Sequence, residues 1–539
     1  MATTITIDGK TIKRPGVYAL TKSGIKYPPQ NLPYGNIVII DSGLGAGFNG
    51  GAGVVGTGTQ GTDSIYELTT IQQYREFTKG GPLWDLGKPL FKPSKNTLPG
   101  VSKVYMIKAA TTAPGKIAFT FDVGAITFGT KDEGLTANGV LTSGRLTRGY
   151  AAKMLKSTLD PTKYIFRFYH GGFSGIDALN NVPYDGIALA DVQEDALFSS
   201  PDVSTMQELL DWCASSSEFK AVFTVDTVTG SGAFVAQDLV DNAGFILATG
   251  GTETYGATDF EEAIKAAKDL DNTFFLCLES GTNATSLNNT KLFDFVVNDS
   301  KYEKFLVVPA AYDKAHFAVN DPGNSEYVAK YYNSDKVIVV HGGCKVNSNS
   351  GMLIKSQLYK AAAVMGRMCG LEPQTPLTFK DIDIDGEIHK LSETEQEYAL
   401  DKGILTTQYD NELDYFVIQQ GINSLQRNTR LVNEDGTSHD IGVKRITAQL
   451  NKEIAVAGKK QFFGTNVGPN RNTMSEQEVK AWTEGFLQKK VAGTLQDNLI
   501  LRFENIQTEV KEDNYFVTYA FVPNYPISKV VFTGIILEK

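Results

Sequence analysis

Gly45-Ala46-Gly47-Phe48-Asn49-Gly50 has literal G-x-G-x-x-G spacing and follows the apolar run Ile37–Ile40. In a dinucleotide site such glycines allow a tight turn and bring pyrophosphate to a helix N-terminus. The residues that follow, Gly51-Ala52-Gly53-Val54-Val55-Gly56-Thr57-Gly58, cannot form that helix without a heavy entropic cost. A turn-rich loop without ligand over Gly43–Gly61 is therefore expected, with a nucleotide-binding α/β enzyme as the alternative from another class.

Asp381-Ile382-Asp383-Ile384-Asp385-Gly386 has the opening pattern of a calcium loop. Such a loop needs a bidentate Glu at its twelfth position and a helix on each side. Counting from Asp381, that position is Ser392, with Glu393 one place late. Alternation from Thr378 to Leu391 around Asp385-Gly386 points instead to a hairpin. His170, His316, His341, His389 and His439 lack zinc-site spacing. His341, beside Gly342-Gly343-Cys344, reads as a satisfied histidine at the end of a buried strand. Cys213, Cys277, Cys344 and Cys369 form no C-x-x-C pair and read as reduced core thiols. There is no phosphate-binding G-x-x-x-x-G-K-[ST] loop and no G-x-S-x-G elbow. No catalytic, cofactor-binding or metal-ligating residue is assigned, and the expectation is a protein that is not an enzyme and needs no cofactor.

The elements that would carry any site come from a chain of 539 residues, 42% of them hydrophobic. That length suggests roughly three or four domains of about 150 residues. A net charge of -10 and the lack of a basic stripe argue against direct nucleic-acid binding. The N-terminus has neither the basic nor the apolar region of a signal peptide, and no apolar run reaches the roughly 20 residues of a membrane span. The expectation is a cytoplasmic product without membrane insertion.

Asn36–Ile40 is a buried strand. Glu67–Lys79 carries a helical pattern through Ile71, Tyr74 and Phe77, closing at Gly80-Gly81, and Val101–Ala109 is a second strand. From Ala118 to Pro201 the pattern is β-rich, with Lys163–His170 its clearest strand. From Asp202 to Leu371 strands and helices alternate, which predicts a mostly parallel sheet built from Ala221–Val225, Phe245–Thr249, Thr273–Leu278, Lys304–Pro309 and Lys336–His341. Thr258-x-x-Glu261 caps a helix that faces inward through Phe260, Ile264 and Ala267. Ser392-x-x-Glu395 caps a helix ending at Gly403. Val443, Ile446, Leu450 and Ile454 share one helical face. Ser475-x-x-Glu478 caps another helix with Val479, Trp482 and Phe486 on one face. Ile446, Leu450, Trp482 and Phe486 are expected to pack these last two helices.

The termini are the most distinctive part. Leu501–Val510 and Tyr515–Val522 are strands joined by a polar turn at Lys511-Glu512-Asp513-Asn514. Pro523-Asn524-Tyr525-Pro526 breaks the chain, and Ile527–Leu537 is a further β-rich run. At the other end, Ile5 and Ile7 share one face of an alternating segment, and Arg14-Pro15-Gly16-Val17-Tyr18 turns into another extended run. These two ends resemble those of the contractile tail sheath proteins of myophages and related injection particles. Gly250-Gly251 and Gly421-Ile422-Asn423 fit the same pattern, while Leu98-Pro99-Gly100-Val101 stands where that family often has Asn-Gly-Gly.

The resemblance implies a multidomain α/β and α+β fold. An N-terminal arm would span 1–35, the first part of an α/β sheath core 36–117 and a β-rich surface insertion domain 118–201. The α/β sheath domain would span 202–379, an inner C-terminal domain 380–522 and a C-terminal arm strand 523–539. It implies a helical homo-oligomer of six-membered rings around a tail tube protein, with baseplate and tail terminator proteins as further partners. The polymer would sit in the virion, be assembled in the host cytoplasm and contract to drive the tube through the envelope. The sheath of a non-phage injection system is the alternative within this class. Terminal strands carrying Ile5, Ile7, Val17, Tyr18, Val530, Phe532, Ile535 and Leu537 would augment sheets of neighbouring subunits.

Overall fold

The computed structural model describes residues 5–7, 10–12, 35–40 and 65–524, except 79–80, 97, 108–110, 122–123, 134–136, 143–144, 171–175, 178–181, 184–195, 235–244, 255–256, 269, 272, 279–286, 300–303, 311–323, 349–350, 389, 427–437, 463–465, 468–472, 494–497 and 512–513. Met1–Pro33 and Tyr34–Lys539 are two separate compact units. In the first, Ile5–Ile7 and Lys10–Ile12 pair as an antiparallel hairpin.

The larger unit is organised around a seven-stranded sheet in the order Ile404–Leu405, Val337–Val340, Phe305–Pro309, Phe274–Leu276, Asn36–Ile40, Lys103–Ile107 and Ile65–Leu68. All neighbours pair in parallel except the last, which is antiparallel. Strands buried on both faces read as continuous apolar runs, which is why Asn-Ile-Val-Ile-Ile and Phe-Leu-Val-Val-Pro form them. Ile37, Ile39, Phe274, Phe305 and Val307 face one core. Val38, Ile40, Phe275, Leu306 and Val308 face the other. The Ala257–Ala267, Leu287–Asp294 and Ser325–Tyr332 helices supply apolar side chains to the second core.

The first core is filled by the helix Gln357–Cys369, buried from Leu358 to its last residue. It touches backbone as well as side chains. A Cβ at Gly366 would lie 2.4 Å from the Pro89 carbonyl oxygen, and one at Gly370 would lie 1.8 Å from that of Pro99. Only glycine lets Leu98-Pro99-Gly100 cross so close to this helix.

A second body spans residues 111–254. Its two four-stranded antiparallel sheets run Phe223–Gly230, Gly124–Glu133, Thr111–Phe121, Thr252–Thr254 and Ala196–Ser199, Tyr164–His170, Tyr150–Lys156, Ile246–Leu247. Both sheets and the helices Met206–Ser215 and Ser217–Val222 share one aromatic-rich core. The parallel-sheet assignment of Ala221–Val225 and Phe245–Thr249 is thereby corrected: both segments pair antiparallel within this body. Its hydrophobic core is continuous across residue 201.

Two local expectations also change. Glu67 and Leu68 lie in a strand, and the helix runs from Ile71 to Thr78. Gly81 opens a further short helix. Thr258 sits inside the Ala257–Ala267 helix rather than capping it, although Phe260, Ile264 and Ala267 are buried as expected. The capping boxes at Ser392 and Ser475 are both formed, each serine accepting the N3 backbone N–H while the N3 glutamate accepts the serine's own.

Candidate assembly surfaces

The three aspartates of the calcium-like segment are each engaged by a different cation. Asp381, on the short strand Asp381–Ile382, accepts from Arg367 Nη2 at 3.1 Å and from Ser94 Oγ. Asp383 pairs with Lys88 at 2.9 Å, and Asp385 with Lys95 at 2.5 Å. Burial alone would raise the Asp385 pKa, but the Asn347 N–H and the Lys95 ammonium hold it below the usual carboxylate range. Among the described residues no three His, Cys, Asp or Glu side chains are placed to hold a metal.

The hairpin expected over Thr378–Leu391 is absent. Asp381–Ile382 pairs with Tyr415–Ile418, while Gly386–Glu387 pairs with Cys344–Ser348 in another sheet. Asp385-Gly386 is a good turn signal locally, but partners far along the chain decide the pairing.

His341 is buried, and its Nδ1 lies 2.7 Å from Ser325 Oγ. All four cysteines are buried and stand outside any disulfide. Burial pushes the Cys213 and Cys344 thiols up to about 12, where they are poor nucleophiles. Gly45–Gly50 lies outside the described residues.

What the chain does present is sheet edges. The strands Ile500–Lys511 and Asn514–Pro523 form a two-stranded ribbon. Among the described residues no third strand joins it, and its one further pairing is a parallel bridge of Val491 to Ile500. One face, through Phe503, Ile506, Tyr519 and Phe521, packs on a small core of Ile446, Leu450, Leu487, Leu499 and Ile500. The other face leaves Leu501 and Phe516 exposed.

The ribbon stands on the helix Ile441–Phe462, whose N-terminal turns are buried in the main body. Asp440 caps it, accepting the Val443 N–H at 3.1 Å. Lys444 pairs with Asp335 at 2.9 Å, and Arg445 donates to the Leu371 carbonyl at 2.6 Å. Gly421-Ile422-Asn423 fixes the start of this helix. Asn423 is fully buried and donates to the Ser438 carbonyl at 2.7 Å, while its N–H donates to the His439 carbonyl.

The face of the Glu476–Gln488 helix differs from expectation by one position. Val479, Thr483 and Leu487 are buried. Trp482 is half-buried, stacked on Phe486 at 5.5 Å and edge-on to Phe462 at 4.8 Å.

Of the proposed linking residues, Ile5 and Ile7 lie in the N-terminal hairpin, opposite Ile12 and Lys10. Val17, Tyr18, Val530, Phe532, Ile535 and Leu537 lie outside the described residues. Sequence reasoning missed the difference between the ribbon's edges. Ile500–Lys511 carries two bulges, one beside Asn505 with φ 57°, and four charged side chains. Asn514–Pro523 is regular and carries no charge.

No family model matches this sequence, and no curated protein matches it. Solved structures do. The crystal structure of the sheath tail protein from Desulfitobacterium hafniense superposes with a TM-score of 0.53 at 12% identity, covering 94% of this chain and 100% of that one. The fold is that of a tail sheath protein. A sheath tail protein from Listeria innocua gives 0.46 at 14% identity, over 90% of this chain and 94% of that one. The helical sheath of the anti-feeding prophage in its contracted state gives 0.36 at 14% identity, over 53% of this chain and 78% of that one.

Proposed function

We propose that this chain is the structural subunit of a contractile sheath, most simply that of a phage tail. The observation that carries the reading is a sheath-type fold over nearly the whole chain, ending in a ribbon with a regular, uncharged edge. Residues 34–110 and 257–523 would form the body of the subunit, and 111–254 would be carried on the outside of the tail. The subunits would stack as six-membered rings around a tail tube protein, bounded by baseplate and terminator proteins.

Terminal strands entering a neighbour's sheet would join subunits through backbone hydrogen bonds. A head-to-tail contact of this kind does not close, so it propagates as a helix. Extended linkers can rotate while those bonds persist. The globular faces can then slide from one packing to a better one, and a small gain per subunit is multiplied along the polymer. Energy is stored at assembly, so no nucleotide is required. Contraction would drive the tube through the host envelope and let the genome follow.

Negative-stain images of the purified chain test the reading directly. Tubes or stacked rings are expected; a monomer that stays monomeric at high concentration, with or without tube protein, would refute it. Capsid and terminase genes beside this one favour a phage, and their absence favours a genome-free injection particle.

A further inference from the structure

We propose that the second body, residues 111–254, stacks head-to-tail on the same body of a second copy, the cationic outer face of one of its sheets meeting the acidic helix layer of the next. The proposal rests on the sheath reading above, in which each copy is related to the next by the same screw. It goes beyond that reading by giving this body a contact of its own.

Strand alternation sets the first face. In the sheet Ala196–Ser199, Tyr164–His170, Tyr150–Lys156, Ile246–Leu247, the side chains of Ala152, Met154, Phe166, Phe168 and Phe198 enter the aromatic core. Their neighbours along each strand therefore point the other way. One end of that outer face is covered, where Ala151 and Tyr169 are buried with Leu146. The rest is open. Its central row is Lys153, Arg167 and Ser199, in register across three strands. Arg167, Ser199 and the nearby Leu197 are exposed. Like charges placed directly opposite each other cost stability, yet none of the four strands contains Asp or Glu. The Lys153 ammonium lies 3.7 Å from the Phe245 ring centroid and 5.5 Å from that of Tyr169. The Arg167 guanidinium has no ion-pair or hydrogen-bond partner among the described residues.

The helices set the second face. Met206–Ser215 lies on the core side of the same sheet, the Trp212 ring centroid being 6.1 Å from that of Phe168 and 6.3 Å from that of Phe198. Met206, Leu209 and Cys213 are buried there, which leaves Gln207, Glu208, Asp211 and Ala214 exposed. Glu218 is exposed at the start of Ser217–Val222, whose Phe219 is buried in the same core. Glu208 is occupied as a cap partner of Ser204. Asp211 accepts from the neutral Gln207 amide, and Glu218 has no side-chain partner among the described residues. The one cation of the two helices, Lys220, donates to the Ala214 carbonyl. The layer is acidic.

One sheet thus separates a cationic face from an acidic one. Neither can meet its own copy without opposing like charges, but each complements the other. Because the two faces point opposite ways, their contact is heterologous and propagates from copy to copy instead of closing a dimer. An exposed arginine–carboxylate pair contributes little singly and weakens with salt. Its effect would therefore be read in the polymer, where every subunit makes it.

Zero-length carbodiimide coupling in assembled sheaths tests the contact. Full-length chains carrying Arg167→Lys, which keeps the charge and supplies an amine, are mixed with isotope-labelled copies, assembled at low salt, coupled and read by peptide mass spectrometry. Within one body the two faces are held apart by packed layers roughly 10 Å from each other, and their side chains point away from one another, so coupling inside one chain is out of reach. The expected products are mixed-isotope peptides joining position 167 to Asp211 or Glu218. Lys153→Glu with Arg167→Glu should lower the salt concentration at which sheaths fall apart by at least about twofold. Adding Asp211→Lys and Glu218→Lys should restore it. Melting temperatures check that the reversed variants fold; where they do not, the coupling result decides alone. Sheaths that yield no such peptide, or an amine at 167 coupled only within its own chain or only to another protein, overturn the contact. So do reversed sheaths as salt-resistant as the unchanged ones, or compensated sheaths as weak as the reversed ones. An unchanged chain that builds no sheath at all, with or without tube protein, refutes the sheath reading and this contact with it.

Discussion

Two strands of this subunit end their sheets facing outward, and they are built oppositely. Phe223–Gly230 closes one side of the second body and is exposed from Thr224 onward. It is guarded. Asp226 is the extra residue of a bulge between Val225 and Thr227, and its carboxylate pairs with Lys116 at 2.7 Å. An incoming strand would have to bridge the bulge and desolvate that pair. Asn514–Pro523 has aromatic and β-branched residues, no bulge of its own and no charge. One chain applies edge protection in one place and omits it in another, and under the proposed strand exchange the unguarded edge is the one a neighbour's strand would cover.

The largest effect should come from exchanging these two properties. Phe516→Lys with Thr518→Lys places charges on the open strand at exposed positions, so the monomer should keep its melting temperature. Sheath formation, followed by sedimentation, should fall by more than about tenfold. The reverse change, Asp226→Val, removes the charged part of the guard and should raise light scattering above that of the unchanged chain at the same concentration. If the lysine variant assembles normally, or the Asp226 variant scatters no more than the unchanged chain, edge chemistry is not what separates the two strands.

The cores behind the two edges differ as much. Phe168 is fully buried, with ring centroids 5.0 Å from Phe223, 5.3 Å from Phe198 and 5.4 Å from Phe128. Phe168→Ala should cost about 3–5 kcal/mol in urea unfolding, since surrounding rings cannot collapse into the space. The ribbon rests on five fully buried apolar side chains and a half-buried Trp482. Trp482→Ala should cost only about 1–2 kcal/mol, because part of its surface is already wet. Similar losses at the two sites would show that the ribbon is anchored as firmly as the aromatic body.

The sequence signals that hold up are local ones or ones carried by continuous burial. Ser392 and Ser475 cap their helices because the bonding partner is three residues away. Asn36–Ile40, Phe305–Pro309 and Val337–Val340 are apolar throughout because both faces of the sheet are covered. Non-local pairing is what escaped. Nothing within Phe223–Gly230 says that its partner is Gly124–Glu133 rather than a parallel neighbour. Asp385-Gly386 promises a hairpin, but Lys95, Lys345 and Asn347 claim the segment from elsewhere. On the Glu476–Gln488 helix, Val479-Trp482-Phe486 and Val479-Thr483-Leu487 are both acceptable inward rows; only the position of the ribbon and of Phe462 selects the second. The contrast between edges was readable from charge, but the bulges that complete it depend on register.

The smallest expected effect concerns the helix that carries the open ribbon. Asp440 caps Ile441–Phe462 while almost fully buried. Burial raises its pKa above the usual carboxylate value, against the lowering effect of the Val443 and Gly442 N–H groups. The folded state therefore holds this proton more tightly than the unfolded chain does. The stabilisation linked to it is fully present below the unfolded carboxylate's ordinary range and is lost as pH rises through the higher folded value. At neutral pH the buried charge is a net cost to the anchor of the ribbon. Asparagine caps helices about as well as aspartate without that charge. Asp440→Asn should therefore give a small rise in melting temperature at pH 7 that shrinks as pH falls, leaving the two proteins alike once Asp440 is protonated in both states. A variant less stable at pH 7, with the deficit closing in acid, would mean that the carboxylate strengthens the cap by more than its burial costs, and that the ribbon's base is held by charge.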